Sequence, residues 1–490
     1  MKTYDVIVIG AGSGLLISSQ AANAGLNVAV IEEDKFGGTC LLRGCIPSKI
    51  LIHHADIART IKNSAEFGIK SKLLSVDFKK IVKEVSDFVD NEAKQIEQGN
   101  KNDKNITVYK GRAEFTGKNT VKVVFENKNA AKKDKEKSEE IYGKKIFICA
   151  GTRASVPPIP GLNNARYLTS TEALRLQKQP KVLTIIGGGY IAAELAYFFG
   201  ELGTKINIVE RENIMLKNED KEISEVFTKI AGKKYNLNLG AQILNVSQKG
   251  NKNTDKFIVE IKNAHGKNRK IVSDQLLVAT GRVPNTDVLK VQNAGVKANK
   301  YGYIEVNQYL ETSQKNIWAI GDIAGIYLFK HSANLEAEYA YHNAFSSDKN
   351  KTKDNKQIKK PVNYYPMPHA VFTNPQIAGV GLREQDLTKE NVGTNKNNNE
   401  IEYVIAKHYF KNTGMGRALH DDDGFVKFIV EKKTGKILGC HIIGAEASTL
   451  IHEVLVVMKA GGNVDTIVNT VHIHPALSEV VQRAARKAKY

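Results

Sequence analysis

The sequence predicts an α/β protein: two Rossmann-like domains followed by a C-terminal α+β domain. Three observations carry this. A strand, glycine turn, helix and strand follow one another over residues 4–32. The same unit recurs over residues 182–210. Beyond a stretch that is almost all Lys, Asp, Asn, Thr and Gln at Asp348–Lys360, short strands alternate with helices to the end of the chain. At about 150 residues per domain, 490 residues also suggest roughly three domains.

In the first unit, Tyr4–Ile9 is a buried-strand run, Gly10–Gly14 a turn and Leu15–Ala24 a helix. Asn27–Ile31 is a second strand that ends at Glu32. In the second, Val182–Ile186 is a strand, Gly187–Gly189 a turn and Ile191–Phe199 a helix. Lys205–Val209 is the following strand, ending at Glu210. Between them, Val76–Ile96 has helical periodicity and Ile106–Ile148 is strand-rich, with a charged hairpin tip at Asn127–Glu140. In the last domain, Phe425–Glu431 and Ile437–Ile443 read as strands, and Ser448–Ala460 and Ala476–Lys487 as helices. Asn395–Asn399 is a polar insertion.

Composition excludes several classes. A hydrophobic content of 42% argues against wholesale disorder, and 4 Cys cannot frame a disulfide-stapled fold. The uncharged run Val6–Ile31 is interrupted by Gly10, Gly12, Ser13, Gly14, Gln20, Asn23 and Asn27, so it is not a membrane span. No signal peptide is expected, and a cytoplasmic location is. The net charge of +19 raises nucleic acid as a partner. About half of the excess sits at residues 126–145, 346–360 and 481–490, which read as solvated loops and a tail. No aromatic-interleaved basic stripe accompanies it, so no nucleic-acid function is expected.

The two turns carry nucleotide chemistry. Gly10-x-Gly12 allows a tight turn and a close approach of backbone to a pyrophosphate at a helix N-terminus. Glu32, at the end of the second strand, is placed for a ribose hydroxyl. Leu15 stands where the fingerprint has its third Gly, so this copy is imperfect. The second copy, Gly187-x-Gly189-x-x-Ala192 with Glu210, is better formed. Two cradles imply two nucleotides.

Just after the first unit comes Gly37-Gly38-Thr39-Cys40-Leu41-Leu42-Arg43-Gly44-Cys45-Ile46-Pro47-Ser48-Lys49. Two Cys five apart at a helix start suit a redox disulfide, because a helix N-terminus favours a thiolate. Lys49 falls four residues after Cys45, on the same helix face. A zinc site is the rival, but it needs two further ligands and there is no second Cys pair. Cys149 and Cys440 sit singly in apolar runs and read as inert core thiols. Near the C-terminus, His474 and Glu479 suit a general base and the acid that orients it, although a lone His beside a Pro is more often structural. The Cys pair, which needs a base to form a thiolate, favours the chemical reading.

These residues resemble the pyridine nucleotide-disulfide oxidoreductases of the dihydrolipoamide dehydrogenase type, over essentially the whole chain. The likeness includes the Cys motif, Ala279–Asn285 (ATGRVPN), Ala319–Asp322 (AIGD), Val371–Pro375 (VFTNP) and the His474–Glu479 segment, in the family's order. The resemblance implies residues 1–150 as an FAD-binding domain with the redox disulfide, and 151–275 as an NAD-binding domain. It implies 276–347 as a second, central part of the FAD domain, 348–360 as a linker, and 361–490 as a dimerisation domain. FAD would be held by Gly10, Gly12, Gly14, Glu32, Thr39, Lys49, Ala113 and Asp322. NAD, with NADP as an alternative, would be held by Gly187, Gly189, Glu194, Glu210 and Gly281. Cys40 would be the thiol that meets substrate and Cys45 the thiol against the flavin, with Lys49 paired to Glu194. His474 of the other subunit of a homodimer would be the base, oriented by Glu479. No metal is implied. Three departures stand out: Leu15, Ala150 where the family has Thr, and Leu42-Arg43 where lipoamide enzymes more often have Asn-Val.

Three functions compete. The leading one is oxidation of dihydrolipoyl groups, free or on a lipoyl-bearing protein, with NAD. The second is NAD(P)H-dependent reduction of a glutathione, mycothiol or coenzyme A disulfide. The third is a non-catalytic flavoprotein scaffold, against which the retained Cys40, Cys45, Lys49, His474 and Glu479 argue. Mercuric and large thioredoxin reductases carry a further Cys pair near the C-terminus, which Arg486–Tyr490 lacks.

Overall fold

The structure, a computed structural model, describes residues 1–125, 137–250, 256–345, 359–387 and 402–490. The expected hairpin tip (at 127–136), the linker (at 348–358) and the polar insertion at 395–399 lie outside the described residues. The chain divides into two compact units. The first comprises Met1–Ser48, Lys80–Ser155 and Gly281–Tyr364, and the second Lys49–Lys79, Val156–Thr280 and Tyr365–Tyr490.

The first unit is built on a sheet whose parallel strands are Ile106–Lys110, Val28–Glu32, Lys2–Ile9, Ser138–Ile148 and Ile317–Ala319, in that spatial order. Thr120–Val124 and Arg112–Gly117 extend it as antiparallel strands. Val6 pairs with Val28 on one side and Lys145 on the other. The first strand reads as a continuous apolar run because the sheet is covered on both faces. Ile7 and Ile9 pack with Ile146, Phe115 and Ile304. Val6 and Val8 pack with Ile17 and Ala21 of the Gly14–Asn23 helix and with Ala337 and Ala340 of the Lys330–Phe345 helix.

The second unit contains the repeat. Asn236–Asn238, Lys205–Val209, Val182–Ile186 and Gln275–Val278 form a parallel sheet. The Tyr190–Glu201 helix against it is buried from Ala192 to Phe199. Gln242–Lys249, Lys256–Lys262 and Asn268–Ser273 form an antiparallel sheet. The last domain is an antiparallel sheet in the order Pro368–Val371, Gln376–Gly381, Ile437–Gly444, Phe425–Glu431, Tyr403–Tyr409. Leu450, Ile451 and Val454 of the Ala447–Lys459 helix, and Val480, Val481 and Ala484 of the Glu479–Ala485 helix, join its core. The mix of dinucleotide-type parallel sheets and a C-terminal α+β domain is the fold class read from the sequence.

Two helices differ from expectation by more than two residues at one end. The Val76–Ile96 reading becomes Phe78–Asn102, because side-chain bonds between Gln98 and Asn102 and between Lys101 and Glu97 carry polar turns that periodicity does not register. The last helix starts at Glu479, not Ala476: the Glu479 carboxylate instead accepts the Ala476 N–H at 3.2 Å.

One buried charge ties the second unit together. Lys427 Nζ, with its side chain 1% exposed, donates to Asp220 Oδ1 at 2.8 Å and Glu384 Oε2 at 2.6 Å. Asp220, itself buried, also caps the Lys221–Lys234 helix. Lys427→Met should destabilise the protein by about 3–5 kcal/mol, since Asp220 is left as an uncompensated buried charge. Lys256→Met, at an exposed pair with Asp274, should cost under about 1 kcal/mol. Urea midpoints followed by circular dichroism check this; equal midpoints would contradict it.

Candidate active site

The first cradle is set by how little room a side chain would have. At Gly10 φ is +105°, and a Cβ would lie 2.5 Å from the Cys149 carbonyl oxygen. Gly12 is the reverse case: a Cβ there would meet nothing nearer than Gly38 Cα at 3.7 Å, so its backbone faces open space in front of the helix. At Gly14 a Cβ would lie 2.7 Å from Val8 Cγ1 and 3.0 Å from Cys149 Sγ. Gly14 therefore supplies the close helix–strand packing that the fingerprint assigns to its third Gly, and Leu15 rests partly buried on the core. Glu32 closes the turn, accepting the Ala11 N–H at 2.7 Å and the Asp34 N–H at 2.9 Å. Burial raises the pKa of its carboxyl.

The second cradle repeats this arrangement. Gly187 has φ +114°, and a Cβ would lie 2.4 Å from the Ala279 carbonyl oxygen. Gly189 has nothing within 4 Å of its Cβ position. Glu210 accepts the Gly188 N–H at 2.5 Å and the Glu212 N–H at 3.0 Å. Arg211 turns away, with its side chain 81% exposed and its Nε 3.5 Å from Glu212. Ala192 is buried in the helix.

The Cys motif is laid against the first cradle. Gly38, at φ +64°, has its Cβ position 2.7 Å from Gly12 Cα. Thr39 and Cys40 lie in the short Gly38–Arg43 helix, which breaks at Gly44. Cys45 is the first residue of the 19-residue helix Cys45–Asn63. Both Cys are half-buried thiols, hydrogen-bonded to each other. That bond, and then burial, push the Cys40 thiol well up, while the charge of Lys330 pulls against them. Leu42 is buried against Val89 and Ala93, and Arg43 is ion-paired to Asp34.

Asp322 follows the Ile317–Ala319 strand. It accepts the Thr152 hydroxyl at 3.0 Å and lies 3.9 Å from Arg282 Nε. The turn that carries it is held from the Lys330–Phe345 helix: Glu336 accepts the Gly321 N–H at 2.5 Å. Burial pushes the Glu336 carboxyl up to about 7. Ala113 is buried in the sheet, opposite Val123. Gly281 has φ +112° and open space at its Cβ position, and its carbonyl accepts the Ser155 N–H at 2.9 Å. Cys149 and Cys440 are thiols whose pKa burial raises.

In the second unit, Lys49 Nζ donates to both Glu194 oxygens, at 2.9 and 2.7 Å. Glu194 also accepts the Phe372 N–H at 3.0 Å, and the ammonium lies 4.8 Å from the Phe372 ring centre. His474 Nδ1 lies 2.9 Å from Glu479 Oε1. The bond to His474 holds the Glu479 carboxyl below its ordinary range, with help from the Ala476 N–H and Arg483. An ionised carboxylate there keeps the imidazole proton on Nδ1 and leaves Nε2 as the acceptor. The His474 side chain is 74% exposed, and it follows the exposed apolar residues Val471 and Ile473 in the chain.

The residues singled out in the sequence thus fall into two sets. Gly10, Gly12, Gly14, Glu32, Thr39, Cys40, Cys45, Ala113, Gly281 and Asp322 belong to the first unit. Lys49, Gly187, Gly189, Glu194, Glu210, His474 and Glu479 belong to the second. Sequence reasoning missed Thr152, Arg282, Lys330 and Glu336. The last two stand six apart on one helix just after Asp322, a spacing that gives no motif.

The glycine geometry makes a contrast that can be measured. Gly187→Ala forces a positive φ on Ala and a Cβ onto a carbonyl, and should cost at least about 1–3 kcal/mol of stability. Gly189→Ala should fold normally yet weaken dinucleotide binding about tenfold or more, because its methyl enters the space a phosphate needs. Thermal melting and nucleotide titration of both variants separate the two effects; normal binding by Gly189→Ala would contradict the assignment.

Comparison with known proteins agrees with this geometry. Residues 4–344 match the pyridine nucleotide-disulphide oxidoreductase family, and residues 367–485 match its dimerisation domain. A mycothione reductase of Mycobacterium tuberculosis is 33% identical over 485 residues, spanning 99% of both chains. A dihydrolipoyl dehydrogenase of Geobacillus stearothermophilus is 34% identical over 489 residues, spanning 99% of this chain and 96% of that one. The HOCl-induced flavoprotein disulfide reductase RclA of Escherichia coli superposes with a TM-score of 0.80 at 27% identity, over 99% of both chains. Two glycine cradles, a Cys pair at a helix start and a matched dimerisation domain place the chain in the pyridine nucleotide-disulphide oxidoreductase family.

Proposed function

We propose that the chain is a homodimeric, cytoplasmic dihydrolipoyl dehydrogenase that passes electrons from a dithiol to NAD. The observation that carries this reading is the Cys40–Cys45 pair, hydrogen-bonded thiols at the start of a long helix and laid on the first cradle. The residues fit FAD: the open face of Gly12, backed by Glu32, suits its pyrophosphate and ribose, and Asp322 suits its ribityl hydroxyls. FAD, when bound, carries the electron pair between the thiols and the pyridine nucleotide.

The remaining roles belong to the chain. Cys40, in the oxidised pair, is the sulfur that a substrate thiolate attacks: the Cys40–Cys45 bond breaks as the new S–S bond forms, and Cys45 leaves. Cys45, on the helix N-terminus, takes the negative charge. Lys49 is pointed by Glu194. His474 Nε2 accepts the substrate thiol proton. Val471 and Ile473, 95% and 79% exposed, are the kind of apolar surface a second copy covers. That supports a dimer in which His474 serves the partner's Cys pair. Leu42 and Arg43, unusual for a lipoamide enzyme, are engaged by Val89, Ala93 and Asp34, so packing accounts for them without a change of substrate.

A second reading, an NAD(P)H-dependent reductase of a mycothiol-type or other small disulfide, is favoured by the full-length match to mycothione reductase. Free dihydrolipoamide or a lipoyl-bearing protein fits the first reading, and a small disulfide the second. Comparing kcat/KM for dihydrolipoamide, glutathione disulfide, mycothiol disulfide and coenzyme A disulfide decides between them. Dihydrolipoamide with NAD should lead, and a small disulfide leading would overturn the first reading. Glu210, fixed by two backbone N–H groups, should disfavour the 2′-phosphate of NADP. Glu210→Ala should therefore narrow the preference for NAD; an unchanged ratio would count against it.

His474→Ala should slow dithiol oxidation by about 10²- to 10⁴-fold with flavin retained. Cys45→Ser should also be inactive. Mixed dimers of the two variants should recover partial activity, because one site then keeps all its groups. No recovery in verified mixed dimers would place the base in the same chain as the Cys pair.

A further inference from the structure

Lys330, half-buried, is the first residue of the Lys330–Phe345 helix. Its ammonium donates to the Ser13 hydroxyl at 2.8 Å, and that hydroxyl donates to Asn334 Oδ1 at 3.0 Å. Ser13 stands between Gly12 and Gly14 in the first cradle. Behind it, Cys149 Sγ lies 3.0 Å from where a Gly14 side chain would begin. The side chain is therefore anchored at the cradle on which the Cys motif rests. The Lys330 charge acts on the sulfurs of Cys40, Cys45 and Cys149. Cys40 feels Cys45 and Lys330, and Cys149 feels Glu336 and Lys330. Burial lowers the pKa of Lys330 and the three thiols oppose that.

We propose that Lys330 is the counter-ion of the redox pair: anchored by Ser13, its ammonium compensates the negative charge left on sulfur when the Cys40–Cys45 disulfide is reduced. This rests on the reading of Cys40 and Cys45 as a redox pair. Reduction by one hydride equivalent from a reduced pyridine nucleotide breaks the S–S bond. The electron pair goes to the two sulfurs; one takes the proton as a thiol and the other remains a thiolate. A half-buried thiolate is costly unless a positive charge stands by it, and a nearby cation lowers a thiol pKa by about 1–3 units. The N-terminus of the Cys45–Asn63 helix contributes only a partial charge. A full charge from Lys330 makes the reduced pair favourable at neutral pH.

The test is the pH dependence of iodoacetamide alkylation in the reduced, flavin-loaded protein, resolved by peptide mass at Cys40 and Cys45. In Lys330→Gln the lower midpoint should rise by about one pH unit or more, so that alkylation at pH 7 slows by about tenfold. Lys330→Arg should keep the native midpoint. Ser13→Ala, which frees the ammonium from its anchor, should shift the midpoint upward by less, and decides the matter if Lys330→Gln does not fold. Native midpoints in the folded variants would overturn the proposal. Loss of flavin with an unchanged midpoint would overturn it too, by giving Lys330 to the phosphate cradle alone. Failure of the redox reading itself looks different: Cys40 and Cys45 of the oxidised native protein would then alkylate without prior reduction, whatever residue stands at 330.

Discussion

A carboxylate clamped across a glycine turn is the interaction on which both glycine cradles depend. Glu32 spans the Ala11 and Asp34 N–H groups, and Glu210 spans those of Gly188 and Glu212. Each clamp fixes the end of a second strand against a turn whose first Gly sits hard on a carbonyl of the next strand. The next cradle Gly, left open, then presents bare backbone at a helix N-terminus. Phosphate binding by N–H groups needs that bareness, because a single Cβ would occupy the space. The clamp also leaves the carboxylate at the strand end, where ribose hydroxyls are read.

The redox chemistry inherits this geometry. Gly38 approaches Gly12 too closely for any side chain, so the Cys motif is built directly onto the first cradle. Breaking the helix at Gly44 lets Cys45 start a fresh helix, whose N-terminus lies at the Cys pair. The hydrogen bond between the thiols, and then burial, raise the Cys40 thiol. In the second unit the His474–Glu479 pair shows the same economy: the carboxylate that starts the last helix also selects the imidazole tautomer.

Much of this was legible in the sequence, because glycine spacing, strand ends and Cys spacing are local. Both βαβ units stood out, as did Phe425–Glu431, which matches its strand end for end. What escaped depends on contacts distant along the chain. Leu15 looked like a defect until Gly14 proved to be the residue packed on Val8. Lys330 lies 317 residues from Ser13, and no periodicity predicts that bond. Glu336, an acid in an unremarkable helix, is buried under Gly321 and holds the Asp322 turn. Lys427, in an apolar strand, reads as a misplaced charge until Asp220 and Glu384 are seen around it.

The most direct measurement counts thiols. One equivalent of NADH, added without oxygen to the oxidised flavin-loaded protein, should expose two new alkylatable sulfurs per chain. Peptide mapping should place them at Cys40 and Cys45. New thiols elsewhere, or none while the nucleotide is consumed, would contradict a Cys40–Cys45 disulfide as the electron carrier.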